Sequence, residues 1–462
     1  MPNRPMRGRG WMVRGTLAAI TALTAVSTVA GASSLSAQDV DQVVPGVRLG
    51  LVYENAFQPA LAIQPFSGRF GGEAASSDVE AIIGRDLANS DRFLVIDSLP
   101  ASLGSSGTVD YSLWDRMGAT YLLTGTVEGS GSGYVLVLQV HDVLYRNVAH
   151  SGSFRVPDPN ARDFRMAVHR ASDEIVQWIF EEPGMAASRI TFSLKRDDGN
   201  REIYIVDSDG ENLQRVSNHQ DIALSPAWSP DHTRIAYMAY NDAGQRIFEH
   251  DLRTGQTRLI DPGVKGNYMT PEYHPNGRTL TFTVQDGDRS GLYSWNLADN
   301  CCVVNLTEGR WSDTNPTYSP DGTYLAFNST RLGSAIPQIY VARGDGTDED
   351  LLSPYEYGSR GFFTSPDWAP YGDNVAFSGR ITRSGSYNIL VARMNEGRRL
   401  LQLTQEGNNE DPSWAPDGRH ITFVGARNWG SGLFVVDTGT GRIRVVLRGM
   451  DVGEPDWSGG MQ

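Results

Sequence analysis

Cysteine is almost absent from this 462-residue chain: there are two, Cys301 and Cys302, and they are neighbours. Adjacent residues on a regular strand point to opposite faces, so the pair is expected to pack on an apolar strand with Val303 and Val304 and not to bridge. A disulfide framework is therefore not expected, and two ligands are too few for a metal site. A basic excess is also missing. Forty Lys and Arg stand against 54 Asp and Glu, a net charge of −14, which argues against nucleic acid and anionic lipid as partners.

Catalytic signatures are missing as well. The sequence has no Gly-x-Ser-x-Gly elbow, no His-Glu-x-x-His pair and no phosphate-cradling Gly-Lys loop. The Gly-Ser run at Gly129–Gly133 places Gly where a nucleophilic Ser would stand and reads as a hairpin loop. The eight histidines are scattered, with no metal-ligand spacing between any two. A prolyl-oligopeptidase-type enzyme would need a hydrolase domain of roughly 250 further residues. No such domain is expected, because the repeats described below run to the last residues. No enzyme activity, cofactor or metal is expected.

Long hydrophobic runs are confined to the N-terminus. Arg4, Arg7, Arg9 and Arg14 precede an uncharged stretch, Gly15–Ala32, and small residues at Ala30–Ala32 and Leu35–Ala37 offer cleavage sites. This pattern predicts a secretory signal peptide over residues 1–37 and no membrane insertion after its removal. Without those residues the chain carries 36 basic against 54 acidic side chains, a balance of −18.

Glycine and proline, by contrast, are plentiful: 50 and 23, at spaced intervals. They punctuate a repeat. Ser225-Pro-Ala-Trp-Ser-Pro-Asp231 recurs as Thr270–Asn276, Asn315–Asp321, Ser365–Tyr371 and Asp411–Asp417, and in shortened form as Glu454–Ser458. The first prolines step by 45, 45, 50, 46 and 43 residues, a period that belongs to propeller blades. Each unit supplies four strands, counting the one that carries the aromatic. The acidic residues of the motif are expected to serve its tight turns. Arg189–Phe192, Glu202–Val206 and Leu213–Val216 lack a motif strand before them, and Pro455–Trp457 is such a strand with nothing after it. The two ends are thus expected to share one blade and close a six-bladed ring without free sheet edges.

Residues 47–185 lack the repeat. Strands are predicted at Val47–Val52, Leu61–Phe66, Phe93–Ile96, Ala119–Val127 and Tyr134–Asp142. Helices are predicted at Ser77–Ser90, capped by Ser77 with Glu80 three residues on, at Leu113–Met117 and at Ala161–Glu181. The fold class is thus two-domain: a small N-terminal α/β domain at 47–185, preceded by an extension at 38–46, and a six-bladed β-propeller with WD40-like (PD40) repeats at 186–462.

Several stretches carry a family resemblance. Ala62–Phe66, Asp86–Ser90 with Phe93, Gly118–Tyr121 with Gly125, Ala171–Ile175 and Ser188–Phe192 resemble the TolB family, in order over nearly the whole mature chain. The resemblance implies a periplasmic, monomeric, non-enzymatic adaptor of the Tol-Pal system, serving outer-membrane integrity and constriction at cell division. It implies that the propeller binds the peptidoglycan-associated lipoprotein, Pal, and that the N-terminal segment, here Gln38, Asp39, Val40 and Asp41, binds TolA. The extension departs from the family's usual start: it is acidic, carries Pro45 and is longer. The alternative is a carbohydrate-binding or peptidase-associated propeller. The partner surface is expected on loops just before each aromatic motif: Asn267, Tyr268, Met269 and Thr270; Asp313, Thr314 and Asn315; Phe362, Phe363 and Thr364; Glu410 and Asp411; and Glu454. Phe362 and Phe363 are expected to stand exposed there as hot spots.

Overall fold

The computed structural model describes residues 43–44, 47–50, 58–96, 109–333, 335–354, 361–382, 385–394 and 399–461. The expected signal peptide at residues 1–37 and the segment Gln38–Asp41 lie outside the described residues. Six antiparallel blades form the propeller. Their inner strands are Ala223–Trp228 (blade 1), Asn267–Tyr273 (blade 2), Asp313–Tyr318 (blade 3), Phe362–Trp368 (blade 4), Asn408–Trp414 (blade 5) and Val452–Trp457 (blade 6). Blade 6 closes the ring as the repeat requires. Val452–Trp457 pairs antiparallel with Arg189–Lys195, placing Trp457 opposite Ile190. Blades pack on one another through apolar side chains of their inner strands: Trp228, Tyr273, Tyr318, Trp368, Trp414 and Trp457 are all buried.

The α/β unit is a sheet whose central strand, Tyr121–Ser130, pairs parallel with Ala60–Ile63 and antiparallel with Gly133–Asp142. Helices Glu73–Asn89 and Phe164–Phe180 pack on it through Val79, Ile83, Leu87, Val168 and Ile175. Three details differ from the sequence expectation. The first helix begins at Glu73, so Ser77 is not its cap, and the Glu80 carboxylate instead accepts the Phe66 N–H at 2.7 Å. An eleven-residue strand, Asn147–Pro157, completes the sheet where none was expected. Val47–Gly50 pairs parallel with Arg399–Gln402 at the outer edge of blade 4 and not with the α/β sheet.

The cysteines also depart from expectation. Cys301 and Cys302 form a disulfide with each other, their Cα atoms 3.7 Å apart. The regular alternation that would separate their side chains is broken: Cys302 has φ 64°, and the pairing with the neighbouring strand shifts register between Ser294 and Asn296.

The α/β unit docks on the propeller end where the inner strands finish. Asp91 accepts from Arg442 Nη1 at 2.8 Å and lies 3.3 Å from His420 Nε2, at the start of the strand that follows the blade 5 inner strand. Arg165 pairs with Asp209, and Asp173 receives the N–H groups of Ala186 and Ala187 at 2.7 and 2.8 Å. The opposite end, where the inner strands begin, carries no contact with the α/β unit among these bonds.

Candidate functional site

In each inner strand, the residue before the first proline adopts a left-handed backbone. These residues are Ser225 (φ 50°), Thr270 (43°), Asn315 (53°), Ser365 (53°), Asp411 (52°) and Glu454 (50°). None is glycine, and a residue before proline is normally extended, so the conformation is costly six times over. It marks a bulge. In blade 1, for example, the two residues between Leu224 and Ala227, Ser225 and Pro226, oppose the single residue Tyr237 on the neighbouring strand. The bulge turns the next residues toward the axis.

A cavity of about 100 Å³ results, and it is lined by three rings of six. The outermost ring holds the left-handed residues and the second the prolines. The third is Ala227, Glu272, Thr317, Asp367, Ser413 and Asp456. Acids in this ring alternate with short neutral residues, which keeps any two acids two blades apart.

Hydrogen bonds run round the channel from blade to blade. In the third ring, each side chain that can accept takes the backbone N–H of the aromatic in the following blade. Trp414 donates to Asp367 Oδ2 at 2.6 Å, Trp368 to Thr317 Oγ1 at 3.2 Å, and Trp457 to Ser413 Oγ at 3.0 Å. Trp228 donates to Asp456 Oδ2 at 2.6 Å. Ala227 has no acceptor to offer. The outermost ring has its own set: Ser225 N–H reaches Glu454 Oε2 at 2.6 Å, Glu454 N–H reaches Asp411 Oδ2 at 3.3 Å, and Asn315 N–H reaches Thr270 Oγ1 at 3.4 Å.

These carboxyl groups meet water only along the narrow axis, and burial dominates their ionisation. Burial, with the Asp367 charge beside it, pushes Asp456 up to about 8. Asp367 rises to about 7 through burial, against the Trp414 N–H that favours its charged form. Glu454 reaches about 7 through burial and the Asp411 charge. Glu272 is raised well above its usual range by the same cause. The acidic residues of the repeat therefore fall into two groups. Asp231, Asp321 and Asp417 accept turn N–H groups as expected. Glu272, Asp367 and Asp456 line the channel, and turn formation does not account for them.

The expected partner residues lie on the inner strands themselves and not on the loops before them. The bulge lets each strand keep pairing beyond the proline, which absorbs those residues into the sheet. Three of them face inward. Tyr268 is 1% exposed and packs on Phe282. Phe363 is 1% exposed and meets Phe377 edge-on at 5.9 Å. Asp313 is buried and bound by Arg331 at 3.1 Å. Asn267, Met269, Thr270, Thr314, Asn315, Phe362, Thr364, Glu410, Asp411 and Glu454 are half-buried. Phe362 is not a bare hot spot: Arg380 stacks over its ring and over Tyr387, at 5.6 and 5.0 Å. Ser225 and Ser365 complete the outermost ring and were missed. Their signal was the residue before each first proline.

Comparison with known proteins agrees with this architecture. A family model described as the TolB beta propeller domain matches residues 177–461, more than half of the chain, and one described as the TolB amino-terminal domain matches residues 48–149. The chain belongs to the TolB family. The Tol-Pal system protein TolB of Bordetella pertussis is 28% identical over 383 residues, which covers 81% of this chain and 83% of the relative. That of Actinobacillus pleuropneumoniae is 31% identical over 215 residues, covering 46% of this chain and 49% of the relative. The crystal structure of TolB from Acinetobacter baumannii is 25% identical, with a TM-score of 0.74 over 87% of this chain and 97% of that one. These relatives are named as Tol-Pal system proteins and not as enzymes.

Proposed function

We propose that the chain is a non-enzymatic, monomeric, periplasmic adaptor of the Tol-Pal system. Its channel mouth binds the peptidoglycan-associated lipoprotein, its segment Gln38–Asp41 binds TolA, and the two contacts serve outer-membrane integrity and constriction at division. No helix among the described residues is long and apolar enough to cross a membrane.

One observation carries this reading. The α/β unit occupies the propeller end where the inner strands finish, which leaves the opposite mouth to a partner. There the half-buried residues are held on strands and tied blade to blade by the two hydrogen-bonded rings, so binding would cost little ordering. A pull-down of the chain without its signal segment from a cell-envelope extract of its own organism tests the proposal. The lipoprotein is expected as the principal partner. Recovery of glycan fragments without any lipoprotein would overturn it in favour of a carbohydrate-binding propeller.

A further inference from the structure

A second cavity, of about 290 Å³, lies far from the channel, in the seam between blade 6, blade 1 and the α/β unit. Three arginines converge on it. Arg162 comes from the turn before helix Phe164–Phe180, Arg215 from the outermost strand of blade 6, Gln214–Arg215, and Arg253 from the turn between the two outer strands of blade 1. His250 adds a fourth nitrogen base. No Asp or Glu lines the cavity, although acids outnumber bases by 54 to 40 in the chain.

The guanidinium groups keep their donors available. Arg162 gives one N–H to the neutral Gln214 Oε1 at 3.3 Å. Asp251, the chain neighbour of His250, takes the backbone N–H groups of Arg253 and Thr254 at 2.9 and 2.8 Å. Its carboxyl is held low first by the Thr254 N–H, and the Arg253 charge contributes least. Among the described residues, none of the three arginines is in an ion pair. His250 Nδ1 lies 2.8 Å from Thr257 Oγ1, which leaves Nε2 for another partner. Ile205, Val216 and Leu252 add apolar surface to the same wall.

We propose that this seam binds a small organic oxyanion: a multiply charged phosphoryl or carboxylate group held by the three arginines, with a short carbon body against Ile205, Val216 and Leu252. Guanidinium forks match the geometry of both groups. Because the wall is built from the propeller and the α/β unit together, such a ligand stabilises their docked arrangement by mass action.

The test is calorimetric titration of the whole chain without its signal segment, paired with thermal melts. The probes are glycerol 3-phosphate, citrate and uncharged glycerol, at ionic strength matched with sodium chloride. Saturable binding and a raised melting temperature are expected with at least one anion and not with glycerol. The anion that binds distinguishes phosphoryl from polycarboxylate recognition. Arg215→Ala with Arg253→Ala should weaken binding by roughly tenfold or more and leave the ligand-free melt unchanged, since both side chains are exposed. Arg253→Glu alone provides a second variant on an exposed turn, with the same expected loss. Absence of saturable binding to both anions, or unchanged affinity in these variants, would overturn the proposal.

Discussion

Asp456 Oδ2 accepts the backbone N–H of Trp228 at 2.6 Å, across 228 residues of chain. The bond joins the last inner strand to the first, in a series of hydrogen bonds round the channel that is interrupted at Ala227. Asp456→Ala leaves a buried N–H without its acceptor and is expected to lower stability by about 1–3 kcal/mol. Asp456→Asn keeps an acceptor and should cost less. Urea denaturation of the two variants at pH 6 checks the order.

The same residue makes stability depend on pH. Its carboxyl titrates near 8 in the fold, against 3.8 without it. The neutral form is the one the fold favours, so this contribution is complete below the unfolded value and is lost as pH rises through about 8. Through this residue stability should fall from about pH 4 to about pH 8 and level off above it. Asp456→Asn should flatten part of that fall and be more stable than the wild type at pH 9. A variant that tracks the wild type at every pH would contradict the assignment.

His420 contributes with the same sign at higher pH. It lies 2.6 Å from Asp417 and 3.3 Å from Asp91. Although burial alone would lower its pKa, these carboxylates raise it to about 9. Its charged form supports the docking of the α/β unit fully below about 6.5 and loses that support as pH rises through about 9. His420→Asn should cost about 3–5 kcal/mol at pH 6.5, because the buried Asp417 loses its cation and Asp91 is left with Arg442 alone. Stability curves at pH 6.5 and 9.5 should converge for wild type and variant.

Phe362 and Phe363 should behave differently from one another. Phe363 sits in the core of blade 4, so Phe363→Ala is expected to cost about 3–5 kcal/mol of stability. Phe362 is half-buried at the mouth beside Arg380 and Tyr387. Phe362→Ala should change the melt little and weaken lipoprotein binding by about 1–3 kcal/mol. Thermal melts beside calorimetric titrations separate the two effects.

Alkylation of the denatured, unreduced protein should find no free thiol, because Cys301 and Cys302 are bonded to each other. Two alkylated cysteines before reduction would contradict the pairing.

The blades and the shared closing blade were legible because a proline two residues before an aromatic recurs every 43–50 residues, and both have a local physical role. Strand Asn147–Pro157 was not, because most of its residues are polar and half or fully exposed, so no apolar alternation marks it. The true start of helix Glu73–Asn89 was hidden because its cap, Gly72, makes no side-chain bond. The channel rings were illegible for a different reason. Six left-handed residues before proline run against local preference, and they are held by contacts within the blade, such as Thr270 with Thr283, and across to the neighbouring blade, such as Ser225 with Glu454. The disulfide was not legible because neighbours on a regular strand face opposite ways, and Cys302, at φ 64°, leaves that conformation.

The central claim is that the propeller mouth opposite the α/β unit is where the lipoprotein binds. Thr314 stands there on the blade 3 inner strand, half-buried and with its Oγ1 3.4 Å from Asn328 Nδ2. Calorimetric titration of the soluble domain of the organism's own peptidoglycan-associated lipoprotein into the wild type and Thr314→Arg is the most direct test. The account predicts saturable one-to-one binding to the wild type and its loss in Thr314→Arg, whose thermal melt stays unchanged. Equal affinity for both proteins, or no binding to the wild type, would contradict it.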